Sequence, residues 1–544
     1  MSEFSNTLSQ FIHEKNIKVY SLIKYCNFDR STMYKIINGK RNPPSKETVD
    51  KIAEFMHLTP AEYSRFMESY EITKTGADNY YRRKNAQNFL MNFPDNFSIQ
   101  PGNYSSYPTA DKAFSEFSAC AALSTQLELN YVIRSVLSEE SQDDQGKIAL
   151  FLQPDYEFLF NLLASLNLDC SLEIRQILCL SNVETLTKDH ELYNLKYFKN
   201  IFPLYLRNLN YQAYYFYDSI HSHFFNLNAF PYFIVTSRYA VACSSDYQQG
   251  IFYKEASVVK QFWKLFHSCQ VKCQPLFQVF HLTPQNVSMI SSLGLNEITS
   301  YLLQPEACLT PFISNSILEE ALSQDLPDRQ QLLEMLRQFF QANTKNLPHM
   351  HVYFTEKGIR RFIETGRLKE IPSAFYRPLL PEERLQMLQA LLPACYQGYY
   401  RMLKQPLDQL PVNLHLCVND NMGYFSFDNV ENQTTYLMMN ETGLLSVFLD
   451  YMQSLDNSSF YTPEETGNFI KSIIQNLQQH LAFYKEGVIL PPPPVRTEVS
   501  KNLIIQLIDR DTASYYHNYS ANRQVILTDN RKRQINSNSN EVIT

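Results

Sequence analysis

Glycine is scarce in this chain. Its 13 glycines in 544 residues are about a third of what an average usage of ~7 % would give. Loops that cradle phosphates need closely spaced glycines, and none is expected here. The P-loop, the dinucleotide-binding glycine pattern, the G-x-S-x-G elbow and H-E-x-x-H are all missing from the sequence. No apolar run approaches the roughly 20 residues needed to cross a membrane. The ten cysteines form no C-x₂-C pair, and the N-terminus lacks a charged-then-apolar signal pattern. Reduced thiols in a cytoplasm are the expectation. Positive charge is not in excess either: the net charge of −7 restricts any nucleic-acid contact to a local patch.

The chain has 44 % hydrophobic and 19 % charged residues, the composition of a globular protein too long for a single core. Its first seventy-five residues are the most informative. Phe4, Leu8, Phe11 and Ile12 recur at helical spacing, and Val19, Leu22, Ile23 and Cys26 mark a second, short helix. Asp29 can cap a third helix starting at Arg30, with Met33, Ile36 and Ile37 turned inward and Gly39 ending it. Ser45 caps a fourth helix, and Pro43-Pro44 keeps the third from running on. Thr59-Pro60 opens a fifth. From His13 to Arg41 seven basic residues (Lys15, Lys18, Lys24, Arg30, Lys35, Lys40, Arg41) stand against Glu14 and Asp29, a local charge of +5. Two short helices, a tight turn and polar residues at the start of the second suit a major-groove reader. A local basic face suits phosphate.

The stretch "IKVYSLIKYCNFDRSTMYKIINGKRNP" resembles, without a gap, the Xre/Cro-type helix-turn-helix domain of bacterial and phage repressors; the resemblance covers residues 4 to 70. It implies a five-helix DNA-binding domain over residues 1–75. It places Arg30, Ser31, Thr32, Tyr34 and Lys35 where the family reads base edges or nearby phosphates. Asn38, Lys40 and Arg41 fall in the phosphate-clamping loop. Two departures stand out: Val19 fills the place of a frequent glutamine, and Asn27 replaces the turn glycine. Asparagine tolerates the left-handed conformation, so the turn is expected to survive.

Residues 76–110 read as a linker. Its "NYYRRKN" (79–85) is an extension of the DNA contact, a dimer element or a charged linker, and 92–110 is rich in Pro, Asn, Ser and Tyr. Beyond it, "KIALFL", "PYFIVTSRYAVACSSDYQQGIFY", "HVYF", "NLHLCVNDNMGYFSF" and "TTYLMM" read as strands interspersed with helical runs. Strand–helix, spacer, strands and helix occur twice. The region is therefore mixed α/β or α+β, divided at 111–340 and 341–490, and either a degenerate tandem duplication or a chance recurrence. Residues 491–544, a proline spacer and polar tail, are expected to be largely disordered.

No catalytic constellation emerges. His267, Cys269, Cys273 and His281 are the best metal candidates, but their spacing lacks the tight pairs of structural zinc sites, so no metal or other cofactor is expected. "HSH" (221–223), "HMH" (349–351) and the acidic "SEESQDD" (138–144) read as ordinary surface or core residues. The 37 Phe and 36 Tyr form no basic-aromatic strip, which assigns them to cores. The sequence thus reads as a non-enzymatic, sequence-specific transcriptional regulator that binds double-stranded operator DNA as a homodimer. Its C-terminal region would answer an unknown small-molecule or peptide effector. The rival readings are an enzyme fused to a DNA-targeting module, or an adaptor whose helical domain docks protein.

Overall fold

The computed structural model describes residues 2–43, 45–93, 118–165, 172–182, 186–187, 189–207, 209–218, 230–283, 298–429 and 433–485. Five helices form the N-terminal domain: α1 (Glu3–Glu14), α2 (Val19–Tyr25), α3 (Arg30–Ile37), α4 (Lys46–Phe55) and α5 (Pro60–Thr75). Their starts are set by side chains that accept from otherwise unpaired backbone N–H groups: Ser2, Asp29, Ser45 and Thr59. Thr59 and Glu62 complete a reciprocal capping box. The periodic residues meet in one core of Phe4, Leu8, Phe11, Leu22, Met33, Ile36, Val49, Ile52 and Phe66.

The chain does not become a linker at residue 76. After Gly76 alone, α6 (Ala77–Met91) begins, which corrects the expected connector over its first half. Ala86, Phe89 and Leu90 bury one side of α6. Arg82 and Arg83 both reach Asp450, at 3.2 and 2.9 Å. The charges that made this stretch look like a solvated connector are satisfied by a residue far along the chain. Residues 94–110, the proline spacer and the tail lie outside the described residues.

Two mixed sheets follow. The first holds β1 (Cys120–Leu123), β2 (Lys147–Phe151), β3 (Glu173–Leu180), β4 (Asn210–Tyr217), β5 (Tyr232–Val235), β6 (Ala240–Cys243), β7 (Gly250–Tyr253) and β8 (Gln274–Pro275). Its order is β1-β7-β6-β5-β2-β3-β4-β8. The second holds β9 (Phe277–His281), β10 (Ser300–Leu303), β11 (Met350–Phe354), β12 (Tyr400–Met402), β13 (Leu416–Val418), β14 (Gly423–Asp428) and β15 (Thr434–Met439). Read from its β9 edge, the order is β9-β15-β14-β13-β10-β11-β12. In each half three parallel strands are joined side by side, and an antiparallel meander returns on the other flank to the first strand of that half. The seven-strand order is the same in both, so the recurrence is a topological duplication. A trace survives in sequence: Leu-Gln-Pro-Asp (152–155) and Leu-Gln-Pro-Glu (303–306) stand at the end of the first parallel strand of each half. The two sheets meet between Pro275 and Phe277, well before the division expected at 340/341, because β9 pairs with the distant β15.

Helices α7 (Gln126–Glu140), α8 (Glu157–Ser165) and α9 (Tyr193–Leu206) cover the inner face of the first sheet. Its outer face carries α10 (Ala256–Gln270). The outer face of the second sheet is covered by α11 (Asn315–Ala321), α12 (Arg329–Asn346), α13 (Glu356–Thr365), α14 (Pro381–Tyr396) and α16 (Pro463–Lys485). Helix α15 (Thr442–Ser454) lies inside, against α6 and α9. Phe89 of α6 and Phe93 just beyond it meet Phe198 and Phe202 of α9, Phe425 of β14 and Phe448 of α15, with ring centroids 4.9–5.9 Å apart. Six of the 37 phenylalanines meet at this one junction.

Two predictions follow from these packed polar groups. Burial pushes the Asp450 carboxyl up, but Arg83 and Arg82 outweigh it and hold it below the usual carboxylate range. Asp450→Ala should cost about 2 kcal/mol, the scale of lost hydrogen bonds to charged groups. Because the folded value is depressed, the wild-type contribution should be present above about pH 4 and fade below it. Urea midpoints across acid pH, compared with Asp450→Asn, check this. His415 is 1 % exposed, neither ring nitrogen has a hydrogen-bond partner among the described residues, and burial, aided by Lys369, pushes it down to about 3. The unfolded chain takes up this proton near pH 6.5 and the folded one does not. Stability should therefore fall as pH drops below about 6.5, by about 2 kcal/mol at pH 5. The pH dependence of melting should flatten over that range in His415→Leu.

Candidate nucleic-acid interface

The reading surface begins with a turn. Asn27 takes φ +54° between α2 and α3, the left-handed conformation expected of it. Asp29 then accepts a 2.8 Å hydrogen bond from the Thr32 N–H. Hydrogen bonds from the Thr32 side chain and backbone hold its carboxyl below the usual range. A charged cap is therefore kept at the start of α3, where a carboxylate also suits the helix dipole.

Met33 and Ile36 fix α3 to the core, and that choice of inward face decides what faces out. Arg30, Ser31, Tyr34 and Lys35 are exposed, and Thr32 is half-buried. The Arg30 guanidinium lies over the Tyr34 ring, 5.7 Å from its centre, so one helical turn pairs a cation with an aromatic face. Asn38 caps the helix and Gly39 follows at φ +69°. The Lys35 carbonyl accepts from the N–H groups of Lys40 and Arg41, at 2.8 and 3.1 Å. The loop is thereby folded back onto the end of α3. Arg41 reaches Thr32 Oγ1 at 3.5 Å, so helix start and loop share one surface. All eight residues of the expected site are thus placed on one element and the loop that ends it; Pro44 lies outside the described residues.

The charge on this surface is available. Lys18, Lys24, Arg30, Lys35, Lys40 and Arg41 make no ion pair among the described residues. Lys15 is different: its ammonium is 2.9 Å from Glu62 and adds little to the local +5. The "NYYRRKN" cations are also withdrawn, since Lys84 pairs with Glu68 at 2.5 Å and the arginines with Asp450. They do not extend the DNA surface. One residue escaped the sequence reading: Tyr20, 78 % exposed in the first turn of α2, beside Lys18 and near Lys24. Its signal was its position off the buried Leu22–Ile23 face.

Among the described residues the candidate metal ligands do not converge. His267 Nδ1 lies 2.7 Å from the Trp263 carbonyl oxygen, and the Cys273 thiol donates to the Cys269 carbonyl at 3.3 Å. His281 Nδ1 is 2.9 Å from Thr435 Oγ1, in the other sheet. Among the described residues no group of three or more His, Cys, Asp or Glu could hold a metal ion. His351 stacks on Tyr301; His221 and His223 lie outside the described residues. No described helix is long and apolar enough to cross a membrane.

Residues 7–66 match the family model of the Cro/C1-type helix-turn-helix DNA-binding domain, and the N-terminal domain is of that type. No curated protein matches the chain. Among solved structures, TrmBL2, an archaeal chromatin protein with a novel mode of DNA binding, is 11 % identical over 44 % of this chain and 86 % of its own, at a TM-score of 0.20. Phosphatidylserine synthase from Haemophilus influenzae is 9 % identical over 75 % of this chain and 100 % of its own, at 0.21. Polyphosphate kinase from Porphyromonas gingivalis is 9 % identical over 65 % and 55 %, at 0.20. Likenesses this weak carry no argument about activity.

Replacing Lys40 and Arg41 with Ala should weaken binding to all DNA sequences and flatten its salt dependence, since each lost phosphate contact releases fewer counterions. Arg30→Ala or Tyr34→Ala should instead relax base preference, by about 1–3 kcal/mol per lost base contact. Titrations of specific and random duplexes at two salt concentrations separate the two effects.

Proposed function

We propose that this chain is a sequence-specific, non-enzymatic transcriptional regulator of the bacterial cytoplasm, acting as a homodimer on operator DNA. The carrying observation is the α3 face. Six cations without ion pairs among the described residues stand on and beside a capped helix, in a chain whose net charge is −7. Unpaired like charges repel one another, and a polyanion relieves that repulsion. A protein-docking role would favour an apolar patch, and α3 offers only Tyr34, 40 % exposed.

The duplicated α/β region is assigned to sensing an effector and to joining two copies. A single helix-turn-helix unit reads few base pairs, with non-specific affinity of about 10⁻⁴–10⁻⁶ M. Two units on half-sites roughly 34–36 Å apart gain selectivity through effective concentration. The N-terminal domain uses its aliphatic side chains and phenylalanines in its own core. Its large exposed hydrophobics are tyrosines with a polar tip, Tyr20, Tyr25, Tyr34 and Tyr63, a poor surface for self-association. Full-length protein should therefore sediment as a dimer, and fragment 1–76 as a monomer with much weaker operator binding. A dimeric fragment with full-length affinity would remove self-association from the C-terminal region.

A further inference from the structure

Helix α6 carries asparagine where a helix gains least from it. Tyr81, Asn85, Asn88 and Asn92 recur at spacings of four, three and four and share one side, and asparagine is among the poorer helix formers. This side looks across a cavity of about 520 Å³ to Leu195, Lys196 and Lys199 of α9 and to the Asp189–Glu191 turn. That volume lies within the roughly 300–1,000 Å³ of small-molecule clefts. The cleft sits where the arm of the DNA-binding domain meets the duplicated region.

Some lining groups are occupied in building the walls. Asn85 donates to the His190 carbonyl at 2.8 Å and accepts from the Leu192 N–H at 3.4 Å. Tyr81 stacks on His190 with ring centroids 4.1 Å apart. Lys84 pairs with Glu68, and Lys196 with Glu191 at 3.0 Å. Besides the stacked Tyr81 and His190 rings, three polar side chains facing the cleft make no hydrogen bond or ion pair among the described residues: Asn88, Lys199 and Asp189. They are an amide, a cation and an anion. A phosphorylated ligand would meet Asp189 as a like charge, and a simple amine would meet Lys199 as one. A molecule with both charges meets both.

We propose that this cleft binds a zwitterion of amino-acid size. Its carboxylate would face Lys199 and its ammonium Asp189, with the Asn88 amide donating to a carboxylate oxygen and Phe89 and Leu195 as the apolar floor. Binding bridges α6 and α9, and so bears on how the DNA-binding domain is held. That consequence rests on the regulator reading, whereas the binding itself does not.

The test uses the full chain, by thermal shift and calorimetry against the common free amino acids at about 1 mM, where a millimolar ligand is half bound. At least one should raise the melting temperature, since a ligand of the folded state stabilises it. Its N-acetyl and methyl ester forms should bind about tenfold more weakly or worse, as should the parent amino acid to Asp189→Asn and Lys199→Met. These are exposed positions, so both variants should melt like the wild type without ligand. The proposal is overturned if no amino acid shifts the melting point, or if binding survives blocking of the amine or both substitutions. Operator affinity measured in parallel reports on the coupling alone, so the regulator reading and this site fail separately.

Discussion

Helix α6 has to be held at two points, and the arrangement of the molecule depends on both. Phe89 and Phe93 enter a junction lined by rings from α9, β14 and α15. That burial supplies adhesion without direction. Asp450 supplies direction: Arg83 binds both of its oxygens at 2.9 Å, and Arg82 shares one of them at 3.2 Å. A carboxylate between two guanidiniums permits few helix rotations, because the planar forks must stay in register with it. On the other side, Glu68 of α5 takes Lys84 and the Tyr80 hydroxyl. The DNA-binding domain and the duplicated region are thereby gripped by neighbouring turns of one helix. Gly76 alone separates α5 from α6, at φ +87°. Nothing lies within 4 Å of where a Cβ would stand, so its backbone conformation, and no steric crowding, calls for glycine there.

The duplication explains why equivalent helices have different surfaces. Helix α10 follows the meander of the first half as α15 follows that of the second. Against α15 lie α6 and α9, and Leu444, Val447, Phe448, Tyr451 and Met452 are buried. Helix α10 buries only Val259 and Phe266, and leaves Leu265 46 % exposed. One topology thus serves two environments, and the residue patterns diverged to suit what covers each copy. That divergence hides the repeat at the level of residue identity. The Leu-Gln-Pro-acid steps, whose glutamines are both buried, still match, as do Glu255 and Glu441, the N-caps of α10 and α15.

Legibility in the sequence follows the range of the interactions. Caps, helical spacing and the left-handed Asn27 and Gly39 all act within a few residues, so the N-terminal domain and its reading face could be derived locally. The arginines of α6 could not, because Arg83 and Asp450 stand 367 positions apart; a charged run with a distant partner looks like a solvated one. The same reason displaced the boundary between the halves: β9 owes its sheet to residues 435–439. Strands were visible as apolar or alternating runs, but their order was not, since pairing is long-range. At the site itself, spacing identified which side of α3 faces out. It could not show that Lys15 is taken by Glu62, 47 positions on, which lowers the charge that reaches solvent.

The distribution of charge also bears on how the two regions work together. The body of the protein is acidic, yet its field does not cancel the α3 face, because exposed charges are screened over roughly 8 Å at physiological salt. What the body can change is position. A flexible connector would leave the orientation of α3 independent of the body, so a change in the body would have no differential effect on it. A helix locked by Asp450 on one side and Glu68 on the other transmits displacement instead. The cations of this joint, Arg82, Arg83 and Lys84, are each matched to a carboxylate, while Lys18, Lys24, Arg30, Lys35, Lys40 and Arg41 make no ion pair among the described residues. Pairing and exposure of the same residue types thereby separate the part of the basic charge that holds the molecule together from the part that the helix-turn-helix domain leaves open to solvent.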